Sequence, residues 1–262
     1  MLFRNSNDLM VFKIIIKAKA VVRYKNTISM LKGLLVSVVV LSGCGLRGSD
    51  PSRSSVDPRP VGPAHSAQSA IKGFSIVVSR LTHLVERTCR RRAPQMNCQF
   101  VILLDTRLNQ PPNAFQPLEK NDQPVIVFTL AMLATVQNDD ELAFVLDHES
   151  AHHIQGHLQQ KRQNAFAGAL ILGGLSTLVG AAPDAIRDAQ DYGMILGQRS
   201  CSKTYELQAD ALGTLIAPNA RYDPLRGLVF FTRIADPGDV FLGTHPPNRR
   251  WIKIVREAAA HL

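Results

Sequence analysis

The sequence predicts an α+β fold: a mainly helical domain with a small β-sheet packed on one central helix. Three patterns predict it. Residues 67–92 place Ile71, Phe74, Val77, Val78, Leu81, Leu84 and Val85 at helical spacing. Two short apolar runs, 100–104 and 125–128, have the length and composition of buried strands. Residues 139–152 open on Asp139, Asp140 and Glu141, acids suited to a helix N-terminus, and continue with Leu142, Val145, Leu146 and Ala151 as an apolar stripe.

Each element follows in order. The helix over 67–92 ends on Arg87 and Arg90 to Arg92, cations that suit the negative end of a helix dipole. Cys89 and Cys98 flank this basic turn. A disulfide is one use for them, zinc ligation a second, and two unpaired small hydrophobes a third. The two expected strands are joined by a connection rich in Pro and Asn that contains Asn113, Ala114 and Phe115. Residues 130–136 predict a short helix leading into the acidic turn. Residues 165–182 carry no charge, and Gly168, Gly173, Gly174 and Gly180 supply small packing residues. A single membrane span here would place the later residues across the membrane from His152. No second apolar run brings the chain back, so the segment predicts a helical hairpin, buried or membrane-touching. Cys201 reads as a small buried side chain.

Length and charge bound the function. The chain has 262 residues and 45% apolar composition, enough for one domain with a sizeable core. Of the net charge of +9, residues 1–43 supply +6: Arg4, Lys13, Lys17, Lys19, Arg23, Lys25 and Lys32 against Asp8. The remaining +3 is too small a field to support nucleic-acid binding as the main function. Residues 1–43 instead read as a targeting segment, with Met30 as an alternative start that would make 1–29 a mis-called extension. The apolar run 34–41 is short for a bilayer and ends in Leu41-Ser42-Gly43-Cys44. This resembles a bacterial lipobox, which implies lipidation of Cys44; an uncleaved anchor is the alternative. Gly45 after the cysteine, rather than Asp, resembles outer-membrane sorting. Residues 44–66 then form a lipidated cysteine and a flexible tether rich in Ser, Pro, Arg and Gly, and 67–262 the folded domain.

Chemistry concentrates at His148-Glu149-Ser150-Ala151-His152. Histidines four residues apart project from one helical face, where two neutral imidazoles can grip one zinc ion. Glu149 between them can reach a water at that ion. A third ligand is needed to leave one position open. A histidine six residues after His152, as in metzincins, fails on register: Leu158 stands there, and Gln155 stands where the glycine should be. On a continuing helix, His153 and His157 point away from the His148/His152 face and read as solvated or packing residues. Glu206 is the better third ligand. It stands 54 residues beyond His152, and Asp210, on the same helical face, can accept the N–H of a ligating histidine.

Taken together, Asp140-Glu141-Leu142-Ala143, His148-Glu149-x-x-His152, Glu206-x-x-Ala209-Asp210 and Thr244-His245-Pro246-Pro247 resemble the HtpX-like zinc metallopeptidases. These are gluzincins of metallopeptidase family 48, related to the CAAX prenyl endopeptidases. The resemblance implies a zincin domain and one Zn2+ per chain, held by His148, His152 and Glu206. It implies peptide-bond hydrolysis with Glu149 as general base, and an edge strand that aligns substrate near Asn113, Ala114 and Phe115. His245, ahead of a turn-forming proline pair, is a candidate to stabilise the oxyanion; a loop histidine is the alternative. The implied partners are polypeptides, namely unfolded or misassembled envelope proteins, with the chain lipid-anchored in the periplasm. The oligomeric state is left open. A chaperone-like or binding module in outer-membrane protein assembly, with metal in a structural or gating role, is the alternative function. One position departs from the family: Asp147 stands where glycine is usual, and it either changes charge and access beside the metal or faces solvent.

The anchoring expectation is directly testable. Cys44→Ser should block lipidation and leave the precursor unprocessed. Mass spectrometry that finds the mature N-terminus anywhere but Cys44 contradicts the lipobox.

Overall fold

The computed structural model describes residues 67–117, 122–233 and 247–262. The targeting segment, Cys44, the rest of the tether and His245 lie outside the described residues. Helix α1 (Ala67–Arg92) has the predicted bounds. Its apolar face buries Val77, Leu81, Leu84, Val85 and Cys89. Cys89 and Cys98 are joined as a disulfide with Cα atoms 5.7 Å apart, closing the turn that follows α1.

Three strands follow: β1 (Val101–Asp105), β2 (Ala114–Phe115) and β3 (Val125–Thr129). β3 is central in the order β1-β3-β2, parallel to β1 and antiparallel to β2. The register sets Val101 opposite Val125 and Phe115 opposite Val127. Thr129 fixes how the sheet meets the next helix. Its hydroxyl caps α2 (Leu130–Thr135) by accepting from the Met132 amide. It also accepts from the Asn113 amide at 3.0 Å and donates to the Pro111 carbonyl at 3.0 Å. One side chain thus ties the segment before β2 to the end of β3. The sequence pattern alone, being too short, does not predict β2.

Helix α3 (Asp139–Ile154) is the centre of the fold. Asn138 caps it by accepting from the Glu141 amide, and Glu141 accepts in return from the Gln137 amide at 2.8 Å. Glu141 is fully buried, and Arg233 grips both its oxygens at 2.6 and 2.5 Å. Residues 140–148 of α3 are all buried. The helix is therefore enclosed on every side, where the sequence suggests a single apolar stripe. Asp147, one of the two options for which was solvent, is 0% exposed.

Gly156 ends α3 in the left-handed region, φ +67°, a conformation that glycine adopts without steric cost. The chain then runs out along α4 (His157–Leu178) and back along α5 (Pro183–Arg199). Small residues line the seam of this hairpin. A Cβ on Gly193 would run into the Gly168 carbonyl oxygen, and one on Gly197 into the Asn164 carbonyl oxygen. The large apolar side chains face outward instead: Phe166 is 66% exposed and Leu178 83%. That removes the buried alternative for this segment. Among the described residues, no helix is long and apolar enough to cross a membrane.

Helix α6 (Ser202–Ile216) returns to α3. Cys201, expected to be buried, is only partly so at the N-cap of α6. Short helices α7 (Pro224–Gly227) and α8 (Val229–Arg233), then α9 (Asn248–Ala259), close the remaining side. Phe231 packs against Trp251 with ring centroids 4.7 Å apart.

The hairpin seam separates two glycines that look alike in sequence. Gly193→Ala should destabilise by roughly 1–3 kcal/mol, because the two helices must part. A Cβ on Gly174 would meet nothing within 4 Å, so Gly174→Ala should stabilise by roughly 0.5–1 kcal/mol through helix propensity. Equilibrium urea unfolding of both variants checks the pair.

Candidate metal centre

Two helices build the centre. α3 contributes His148 and His152, one turn apart, and α6 contributes Glu206 and Asp210, also one turn apart. The helices approach closely because α6 carries Gly213: a Cβ there would lie 3.1 Å from the His148 amide nitrogen. A Cβ at this contact would make the facing backbone give by a few tenths of an ångström.

The donor atoms form a small triangle. His148 Nε2 lies 3.1 Å from His152 Nε2; Glu206 Oε2 lies 3.5 Å from the first nitrogen and Glu206 Oε1 lies 3.6 Å from the second. Ligands at about 2.0–2.1 Å around a tetrahedral zinc ion stand about 3.3 Å from one another. The nitrogen–nitrogen and nearest nitrogen–oxygen distances are of that order, and with one atom from each residue the donors lie within 4.8 Å of one another, so these three residues can hold one metal ion. A second argument comes from charge. Two bare imidazole nitrogens 3.1 Å apart repel, so either one ring carries a hydrogen there or a metal ion sits between them. Behind the triangle, Asp210 Oδ1 accepts the Nδ1–H of His148 at 2.8 Å and is fully buried.

Electrostatics follow from this packing. Burial alone would lower the His148 pKa, but the hydrogen bond and charge of Asp210, with Glu206 behind them, raise it well above the ordinary value. Burial brings His152 down to about 4, against the pull of Glu206. Burial pushes the Glu149 carboxyl up to about 7, and the Glu206 charge adds to the rise. Asp147 is raised well above the carboxylate range by burial, and its two oxygens have no hydrogen-bond partner among the described residues. Lys161 reaches within 3.7 Å of Glu206.

Glu149, the donor triangle and residues Asn113, Ala114 and Phe115 line one cleft. The outer strand β2 forms part of its wall, and Gln116 donates to the Glu149 carbonyl, fastening that strand to α3. Phe230, Phe231 and Trp251 add apolar lining to the same cleft.

One placement differs from the sequence reading. His157 does not point away from the site: its Nδ1 is 2.9 Å from His152 Nδ1, and the ring is 1% exposed. Gly156 is the reason. It ends α3, so facing rules drawn on α3 do not carry into α4, and a glycine between two helical stretches was the available signal. His153 is a packing residue as expected, with Nε2 2.7 Å from the Asn97 carbonyl and its ring edge-on to Phe100. Gln208, Lys161 and Gln116 approach the centre without any motif that marks them. The disulfide partners Cys89 and Cys98 are bonded to each other and not drawn into the donor group.

The buried carboxyls set a pH dependence for the metal-free protein. A Glu149 pKa raised from 4.5 to about 7 means the folded state holds that proton more tightly than the unfolded state. Stability is full below pH 4.5, falls as pH rises, and has lost at most roughly 3 kcal/mol once pH passes about 7. Glu149→Gln should therefore raise the Tm of the metal-free protein above pH 7 and leave it nearly unchanged at pH 4. Asp147→Asn should act in the same direction. Thermal melts in chelator at pH 4 and pH 8 measure both.

Comparison with known proteins agrees with the geometry. A family model described as peptidase family M48 matches residues 76–259. The chain is 35% identical over 138 residues to a protein of Vibrio cholerae whose name describes a beta-barrel assembly-enhancing protease. It is 30% identical over 139 residues to the mitochondrial metalloendopeptidase OMA1 of Saccharomyces cerevisiae. Those matches cover 47% and 49% of this chain but 28% and 39% of the two relatives. The family match spans most of this sequence, including α3, α6 and every donor of the triangle, and the chain belongs to peptidase family M48.

Proposed function

We propose that the chain is a zinc-dependent endopeptidase. The observation that carries this reading is the donor group of His148, His152 and Glu206, with nearest nitrogen–nitrogen and nitrogen–oxygen distances of 3.1 to 3.6 Å, beside Glu149 in a cleft walled by an outer strand. When bound, zinc supplies Lewis acidity at the scissile carbonyl and lowers the pKa of water. The residues of the chain do the rest. Glu149 takes the proton of the attacking water and passes it to the leaving amine. Its elevated pKa in the metal-free site places it near neutrality, and a cation beside it would lower that value. Asp210 holds the His148 ring with Nε2 toward the metal. Substrate lies extended along β2, adding a strand to the sheet edge at Asn113, Ala114 and Phe115. An extended backbone is the geometry this edge can read, so unfolded or misassembled chains are the substrate class. The apolar wall of Phe230, Phe231 and Trp251 favours apolar side chains beside the scissile bond.

The name of the Vibrio relative and the lipobox-like Cys44 support placing this activity in the bacterial envelope, on misassembled envelope proteins, with the chain lipid-anchored. His245 is kept as a candidate for oxyanion stabilisation on its sequence setting.

The test is metal content and turnover of the purified chain. One zinc per chain is expected, with casein cleavage abolished by chelator and restored by zinc. Glu149→Gln should keep the zinc and lose at least roughly a hundredfold in turnover. A protein that binds no zinc, or a Glu149→Gln variant that cleaves at the wild-type rate, would falsify the endopeptidase reading. Envelope function that survives unchanged in Glu149→Gln would favour a binding or chaperone-like role for the same domain.

A further inference from the structure

We infer that His157 and Gln208 are positioning residues that hold His152 as its Nδ1–H tautomer, which leaves Nε2 bare for a metal ion. The inference rests on the metal reading above but is tested separately from it.

Gln208, at the outer end, sets the polarity. Its Oε1 lies 3.0 Å from His157 Nε2. An amide oxygen only accepts, so His157 Nε2 carries a hydrogen. A neutral His157 then has a bare Nδ1, and that nitrogen faces His152 Nδ1 at 2.9 Å. One of two facing nitrogens must donate, so His152 carries its hydrogen on Nδ1. Its Nε2 is left with a lone pair directed at the donor triangle.

From the other side the same polarity holds. Asp210 takes the Nδ1–H of His148 at 2.8 Å. In the metal-free protein a hydrogen on His148 Nε2 can then donate to the bare His152 Nε2, 3.1 Å away. Five groups, Asp210, His148, His152, His157 and Gln208, thus form one run of hydrogen bonds in which no donor faces a donor. Turning the Gln208 amide over would reverse the run at His157 and put a hydrogen on His152 Nε2, which would close that nitrogen to a metal.

The surroundings hold His157 in place. Its ring is 1% exposed and stacks on Tyr205, with centroids 4.6 Å apart and planes 23° apart. Asn164 donates to the Tyr205 hydroxyl at 3.1 Å. Gln208 is itself exposed, but Gln155 donates to its backbone carbonyl at 2.9 Å, joining the end of α3 to α6. The two metal-facing histidines are therefore supported differently. His148 leans on a carboxylate, and His152 on a neutral imidazole and an amide.

The experiment is long-range 1H–15N NMR of the metal-free full chain, together with zinc titration against a competing chelator. Wild-type His152 should appear as the Nδ1–H tautomer. His157→Phe keeps the ring and its stacking on Tyr205 but removes the acceptor. It should mix the His152 tautomers and weaken zinc binding roughly ten- to a hundredfold. Gln208→Leu should shift the tautomers in the same sense, while Gln208→Glu, which keeps an acceptor oxygen, should not. A wild-type His152 protonated on Nε2 would overturn the inference. So would a His157→Phe variant with unchanged tautomers and unchanged zinc affinity. Should His157→Phe fail to fold, the exposed Gln208→Leu and Gln208→Glu pair decides by the same two readouts. A wild type that takes up no zinc would sink the metal reading alone, since the tautomers of the metal-free protein still answer for His157.

Discussion

The close contact between α3 and α6 at Gly213 is the constraint on which the rest of the site depends. Glu206 and Asp210 come within reach of His148 where the two helix backbones meet with no side chain between them at Gly213. The chain spends 54 residues between His152 and Glu206, most of them in the α4–α5 hairpin. None of that length matters to the donor triangle as long as α6 returns to the same groove. This is how a short motif on one helix acquires a distant third partner: the packing of two helices, and not the loop between them, sets the distance.

Enclosing α3 on every side has an electrostatic consequence. Its interior holds Glu141, Asp147, His148 and Glu149, and each is handled differently. Glu141 is neutralised by the bidentate grip of Arg233. Asp210 raises the His148 pKa through its hydrogen bond and charge, against the effect of burial. Burial pushes Asp147 and Glu149 toward the protonated form, for Glu149 against a weaker opposing pull from His148, Lys161 and Gln116. A dication in the donor triangle would favour the ionised form of Glu149 directly. Nothing in the structure accounts for Asp147, whose buried oxygens lack partners among the described residues.

The hairpin inverts the arrangement expected of a soluble helical pair. Glycines at the seam let the backbones of α4 and α5 come together, while Phe166, Leu170, Ile171 and Leu175 face outward on α4. Small residues inside and large apolar residues outside are the packing logic of helices in an apolar surrounding. Yet α5 carries Asp184, Arg187, Asp188 and Asp191, so only one side of the pair is apolar. The base of this hairpin is also where His157 turns inward, so the element that leaves the domain begins by buttressing its centre.

Much of this was legible in the sequence. The bounds of α1, the acid-capped α3 and the shared helical face of His148 and His152 follow from local spacing, while Glu206 is singled out by its place after that motif and by family resemblance. Helical periodicity and ligand chemistry are local rules, and they hold wherever a helix is continuous. What sequence could not decide is what lies across a break or across a contact. Gly156 ends α3 in the left-handed region and turns His157 toward His152, against the direction that a continuous helix gives. β2 is two residues long and exists only because β3 and Thr129 offer it partners. Asp147 reads either as a charge beside the metal helix or as a solvent-facing acid, and its neighbours remove the second option by enclosing it. The hairpin's apolar run reads equally as core or as surface, because composition fixes a preference for leaving water but not the body that it leaves water for. Sequence determined which groups could bind and react; tertiary packing decided which of them meet, because a distance between helices is a property of both surfaces and of neither sequence segment alone.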